Sequence, residues 1–181
     1  MNQLKYYEKR YVVTNKDIEN KLMSSGILDS KDTPGEHENY YYPNLRLRHS
    51  KYKQDNFEDK YIIMPSNKGR SLAKKEKKFI TKKEFDNIKK LNSKNLLFYQ
   101  KATFYFINKE NKIFLEKDKI KIKNKEFTFW ATESEAPKEE KIVKDFLKKY
   151  NINYIETPDN IRTIVEKLSK QNGDVKKLKG E

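Results

Sequence analysis

The chain has 181 residues, which points to one domain, and its 35% hydrophobic content still suffices for a core. Its 12 Tyr and 10 Phe exclude the aromatic-poor composition of a disordered chain, and a formal net charge of +14 favours anionic partners: nucleotides, polyphosphate, nucleic acid or a membrane surface. Cysteine is absent, which excludes disulfides, zinc–thiolate centres and Cys nucleophiles, and no apolar run reaches the roughly 18 residues of a membrane span.

Residues 5–13 alternate in polarity and predict a strand, with Tyr7, Lys9, Tyr11 and Val13 on one face and Tyr6, Glu8, Arg10 and Val12 on the other. Thr14 is placed to cap a short helix that ends near Gly26. Residues 27–37, with Pro34-Gly35, read as a loop. Residues 40–42 and 45–49 read as paired strands around Pro43-Asn44. Residues 60–64 form a short strand, 65–69 a turn, and 72–80 a further strand. Thr81 and Glu84 have capping-box spacing and open a helix through Leu91.

Strands follow near 96–107, 112–122 and 126–134, with polar turns at 108–111 and 123–125. Pro137 opens a helix whose apolar stripe is Ile142, Val143, Phe146 and Leu147. Thr157-Pro158 opens the last helix, with Ile161, Ile164, Val165 and Leu168 on one face. Residues 1–170 read as one domain and 171–181 as a flexible tail. The order predicts an α+β chain: an antiparallel β barrel or strongly curved sheet with helices packed outside. The N-terminus has no apolar signal core, so a soluble, cytoplasmic protein is expected.

Charged residues two apart in a strand share a face. Glu8 with Arg10, Arg46 with Arg48, Glu116 with Asp118 and Glu133 with Glu135 all have this spacing. A sheet that repeats the device with both signs can build a charged interior suited to a divalent metal and a polyphosphate. The same pairs are equally typical of a solvated sheet face, and Glu133 and Glu135 could be helix-start charges before Pro137. Phe127, Phe129 and Trp130 could stack bases, although core packing is the commoner role of such a strand.

Taken in order, these landmarks resemble the CYTH superfamily, the triphosphate tunnel metalloenzymes. Residues 6–13 look like its opening Glu-x-Glu-x-Lys strand, and Tyr40-Tyr41 before Leu45-Arg46-Leu47-Arg48 matches its Tyr-Tyr and Leu-Arg-x-Arg landmarks. Residues 74–79 resemble its Arg-Arg-Glu strand, Lys101 its Lys-x-Arg strand, residues 115–118 its Trp-Glu-x-Asp strand and residues 133–135 its Glu-x-Glu strand. The likeness spans about residues 4–168. Departures are Tyr6 in place of the first Glu, Arg10 in place of Lys, Thr103 in place of Arg, and Met64-Pro65, with Lys68 nearby, where the family's Lys is expected in the strand at 60–64.

The resemblance implies a divalent-metal-dependent phosphohydrolase acting on inorganic triphosphate, a nucleoside triphosphate or an RNA 5′-triphosphate. It implies Mg²⁺ or Mn²⁺ held by Glu8, Glu116, Asp118, Glu133 and Glu135. Phosphate would be gripped by Arg10, Arg46, Arg48, Lys75 and Lys101, with Glu8 and Glu133 serving catalysis. The alternatives are a class IV adenylate cyclase-like activity, or a non-catalytic protein that binds a polyanion, nucleotide or nucleic acid. The partner expected is a triphosphate-containing small molecule or RNA end, on a monomer or homodimer.

Overall fold

The computed structural model describes residues 8–24, 26–28, 34–52, 58–66 and 76–178. Among them, nine strands make one sheet: β1 (Lys9–Val13), β2 (Gly35–Tyr41), β3 (Leu45–Tyr52), β4 (Lys60–Pro65), β5 (Lys78–Ile80), β6 (Phe98–Asn108), β7 (Ile113–Ile122), β8 (Lys125–Ser134) and β9 (Tyr154–Thr157). Their order is β5-β4-β3-β2-β6-β7-β8-β1-β9, with every pairing antiparallel. Four helices accompany the sheet: α1 (Ile18–Ser24), α2 (Lys82–Leu91), α3 (Pro137–Lys149) and α4 (Ile161–Lys170). The α+β class and the antiparallel, tunnel-like sheet expected from the sequence both hold. Among the described residues the ring is not closed: β5 and β9 are edges.

The pleat sorts side chains between two faces. Directly paired residues share a face, so Tyr41↔Arg46, Asn39↔Gln100, Ala102↔Asp118 and Arg10↔Glu133 trace one continuous inner surface. The outer surface is apolar where helices cover it. Tyr11, Leu115 and Trp130 pack there with Ile18 and Leu22 of α1 and with Val143, Phe146 and Leu147 of α3. At the far side Tyr42 and Leu47 pack with Phe85 of α2. The α2 capping box forms as the sequence predicts, with Glu84 N–H donating to Thr81 Oγ1 and Thr81 N–H donating to Glu84 Oε2.

One helix departs from the expected outside packing. Ile164, Val165 and Leu168 of α4 bury against Val12, Tyr41, Phe98, Ile120, Phe129 and Ala131, all residues of the inner surface. The helix therefore fills one end of the concavity. Three smaller differences accompany it. Strand β2 begins at Gly35, inside the expected loop, because it pairs on both sides, with β3 and β6. The segment before α4 is a strand, β9, which extends the sheet beyond β1, and Asn160 caps the helix through Thr163 N–H. The expected tail folds back as far as it is described: Gly173 N–H donates to Leu168 C=O, and Leu178 is buried beside α4. No helix among the described residues is long and apolar enough to cross a membrane.

Candidate functional site

The part of the inner surface that α4 leaves open is a cavity of about 250 Å³. It takes wall residues from seven strands, so the sheet curls around it. Six of the charged residues singled out in the sequence meet on its wall: Glu8, Arg10, Arg46, Arg48, Glu116 and Glu133. They converge because alternate residues of each strand share the inner face of the sheet.

Arg46 is a wall cation with no carboxylate partner among the described residues. Its Nη1 donates to Tyr41 Oη at 2.8 Å, its Nη2 touches Met64 Sδ, and its Nε is buried with no acceptor among the described residues. These partners are neutral. Tyr41 is itself fixed by stacking on Phe98, with ring centroids 4.2 Å apart. Arg48 Nε donates to Asn39 Oδ1 at 2.8 Å, which orients the guanidinium, while Asn39 Nδ2 is buried with no acceptor among the described residues. Arg10 is held differently. Its Nη2 lies 2.6 Å from Glu133 Oε2 and 3.8 Å from Glu8 Oε1, and its Nη1 donates to the Asp159 carbonyl at 3.1 Å. This triad anchors β1 to β8 and to the approach to α4.

Asp118 lies behind the wall, fully buried. Gln100 Nε2 donates to its Oδ1 at 2.6 Å, while its Oδ2 and Gln100 Oε1 have no partner among the described residues. Burial, then the charge of Glu116, pushes the Asp118 carboxyl up to about 8. At neutral pH the wall therefore sets Arg10, Arg46, Arg48 and Lys77 against Glu8, Glu116 and Glu133. Positive charge is in excess, which suits an anionic guest.

Two sequence-predicted residues lie elsewhere. Lys101 sits on the outer surface and pairs with Glu36 at 3.0 Å, because the inner positions of β6 are Gln100, Ala102 and Phe104. The Lys-x-Arg placement is thus one residue out of phase with the pleat. Glu135 lies past the end of β8, in a separate small groove of about 100 Å³ that it shares with Glu116, Glu133 and Glu139. Its backbone N–H donates to Glu139 Oε2 at 2.6 Å. Tyr6, Lys68 and Lys75 lie outside the described residues.

The cavity also uses His37, Asn39, Ser50 and Gln100, which the sequence reading passed over, and Tyr41, which it named only as a landmark. Their signal was parity with Arg46 and Arg48, readable only once β2 is known to pair with both β3 and β6. As for metal, no three of His, Asp and Glu among the described residues are grouped closely enough to hold an ion by themselves. Glu116 and Glu133 nevertheless line the same two spaces. Mg²⁺ is commonly held by one or two carboxylates together with substrate phosphates, and that donor set fits them.

No family model matches the chain, and no curated protein matches it. Solved structures do. A candidate adenylate cyclase from Bacillus halodurans aligns with TM-score 0.54 at 13% identity, over 86% of this chain and 95% of that one. The PH1819 protein from Pyrococcus horikoshii aligns at 0.50 and 14%, over 89% and 99%. HpAC1 from Hippeastrum, a candidate adenylyl cyclase with a dominant triphosphatase activity, aligns at 0.52 and 12%, over 88% and 94%. The chain thus shares the fold of these proteins over nearly their full length.

Proposed function

We propose that this chain is a divergent CYTH-type phosphohydrolase that binds the triphosphate group of a small molecule or RNA end in the cavity of the curled sheet. The observation that carries the reading is Arg46. A guanidinium held in a wall by neutral partners, with a buried N–H lacking an acceptor, costs free energy until an anion meets it. The triphosphatase activity of HpAC1, which shares the fold, supports the same class of guest.

In this scheme Arg46 and Arg48 grip phosphate oxygens, and their fixed orientation supplies the positioning on which phosphoryl transfer depends. Glu133 aims the Arg10 guanidinium at the same space. Water attacks the terminal phosphorus and the bond to the bridging oxygen breaks, leaving orthophosphate and a diphosphate. Glu8, beside Arg10 on the wall, accepts the proton of the water. Glu116 and Glu133 would hold Mg²⁺ or Mn²⁺, with Asp118 behind them, and the ion would supply neutralisation of phosphate charge.

The test is ³¹P NMR of tripolyphosphate and ATP incubated with purified protein and Mg²⁺ or Mn²⁺. Appearance of orthophosphate, abolished by Glu133→Gln, is the expected result. No turnover of either compound by folded protein would sink the hydrolase. Cyclic AMP from ATP would instead place the chain with the cyclases. A second reading, an anion binder without catalysis, is favoured by Gln100 and Ala102 standing where the resemblance leads one to expect bases. Binding that survives chelator, without turnover, would select it.

A further inference from the structure

At the end of the cavity away from α4, the inner surface changes character. Tyr52 continues the inner row Arg46, Arg48, Ser50 of β3, and Lys60 pairs directly with Ser50. Phe79 of β5 pairs directly with Ile62, a cavity residue, so it lies on the same face. Tyr52 and Lys77 line the cavity itself. The Lys60 ammonium lies between two rings, 5.5 Å from the Tyr52 centroid and 6.0 Å from the Phe79 centroid, and Lys77 Nζ is 5.4 Å from the Phe79 centroid. Phe79 is nevertheless 60% exposed and Tyr52 36% exposed. The core does not need them there, as the Phe85 cluster is packed on the opposite face.

From the triphosphate reading above, we infer that Phe79, Tyr52, Lys60 and Lys77 form a second subsite, which takes the base of a nucleoside triphosphate. Four residues along β3 separate Arg48 from Tyr52, roughly 13 Å at strand rise, and a nucleoside polyphosphate spans such a distance. Exposed aromatic rings stack bases of any sequence because every base has a π-face, and flanking ammonium groups add attraction for the phosphate chain. The wall between the two ends is mostly uncharged: Ser50, Ile62, Ala102 and Phe104. An inorganic chain of phosphates would gain little from that stretch or from the rings, whereas a nucleoside would use both.

Isothermal titration with ATP and with tripolyphosphate, on wild-type protein, Phe79→Ala and Phe79→Trp, separates the possibilities. Phe79 is exposed, so the variants are expected to fold, and circular dichroism confirms it. The inference predicts ATP binding weakened about tenfold in Phe79→Ala, restored in Phe79→Trp, and tripolyphosphate binding changed less than about twofold. A 5′-triphosphorylated trinucleotide RNA that binds more tightly than ATP and shows the same Phe79→Ala loss would name RNA ends as the source of the base. Tripolyphosphate binding with ATP indifferent to Phe79 would overturn the subsite and leave the phosphate site standing. Binding of neither compound would overturn both.

Discussion

Replacing Arg46 by Met should weaken binding strongly while leaving stability nearly level. Methionine keeps most of the aliphatic stem and removes the charge. In the free protein the substitution loses one charge-assisted hydrogen bond, to Tyr41 at 2.8 Å, a loss of about 1.5–3 kcal/mol. It also relieves a desolvated cation that has no carboxylate partner among the described residues and whose Nε lacks an acceptor, a gain of about 1–3 kcal/mol. The two terms nearly cancel, so the melting temperature should stay within about 5 °C of the wild type, at roughly 2–4 °C per kcal/mol for a chain of this size. In the complex the variant loses at least one charge-assisted hydrogen bond to phosphate, about 1.5–3 kcal/mol. Affinity for tripolyphosphate should fall about 10- to 150-fold. Differential scanning fluorimetry and isothermal titration read the two effects on one preparation. A melting temperature lowered by more than about 5 °C, with affinity unchanged, would show that Arg46 serves the fold and would refute the reasoning.

Three further outcomes follow from the same geometry. The Asp118 carboxyl, raised to about 8 in the fold from an ordinary value of 3.8, binds its proton more tightly folded than unfolded. Stability of the metal-free protein in chelator should thus fall as pH rises from about 4 to 8, and Asp118→Asn should flatten that slope in urea titrations; an unchanged slope would deny the buried acid. Lys101→Ala removes a partly exposed pair with Glu36, so the unfolding free energy from denaturant titration should shift by less than about 1 kcal/mol and phosphate affinity should not change. A tenfold affinity loss there would restore the sequence-based placement of Lys101 in the site. Gly173→Ala forces a side chain into a residue at φ +78°, with its Cβ 2.9 Å from Phe127 Cβ. It should cost about 1–3 kcal/mol of stability, measurable by urea unfolding, and no cost would mean that the segment after α4 is not packed on the sheet.

Features that depend on neighbours in the chain were readable before the structure. Thr81 and Glu84 form their box three residues apart, and the stripe Val143, Phe146, Leu147 turns to the sheet as its period requires. The inward pairs Arg46 with Arg48 and Glu116 with Asp118 were readable too, since alternation is local. Partners across strands were not. Whether Lys101 or Gln100 faces inward is set by which residue of β2 and β7 stands opposite, and one residue of slip reverses the answer. The amphipathic stripe of α4 shows that the helix packs, but not on which face, and the sheet happens to present apolar residues to it on the inside. Strand β9 escaped notice because four residues pairing only with β1 carry too short an alternation.

The central claim is that the curled sheet holds a triphosphate against Arg46 and Arg48. Crystals soaked with Mn²⁺ and imidotriphosphate, a slowly hydrolysed analogue, test it most directly. The account predicts phosphorus density along Arg10, Arg46 and Arg48, with a manganese anomalous peak beside Glu116 and Glu133. An empty cavity, or the analogue bound elsewhere on the surface, at concentrations that saturate binding in solution, would contradict it.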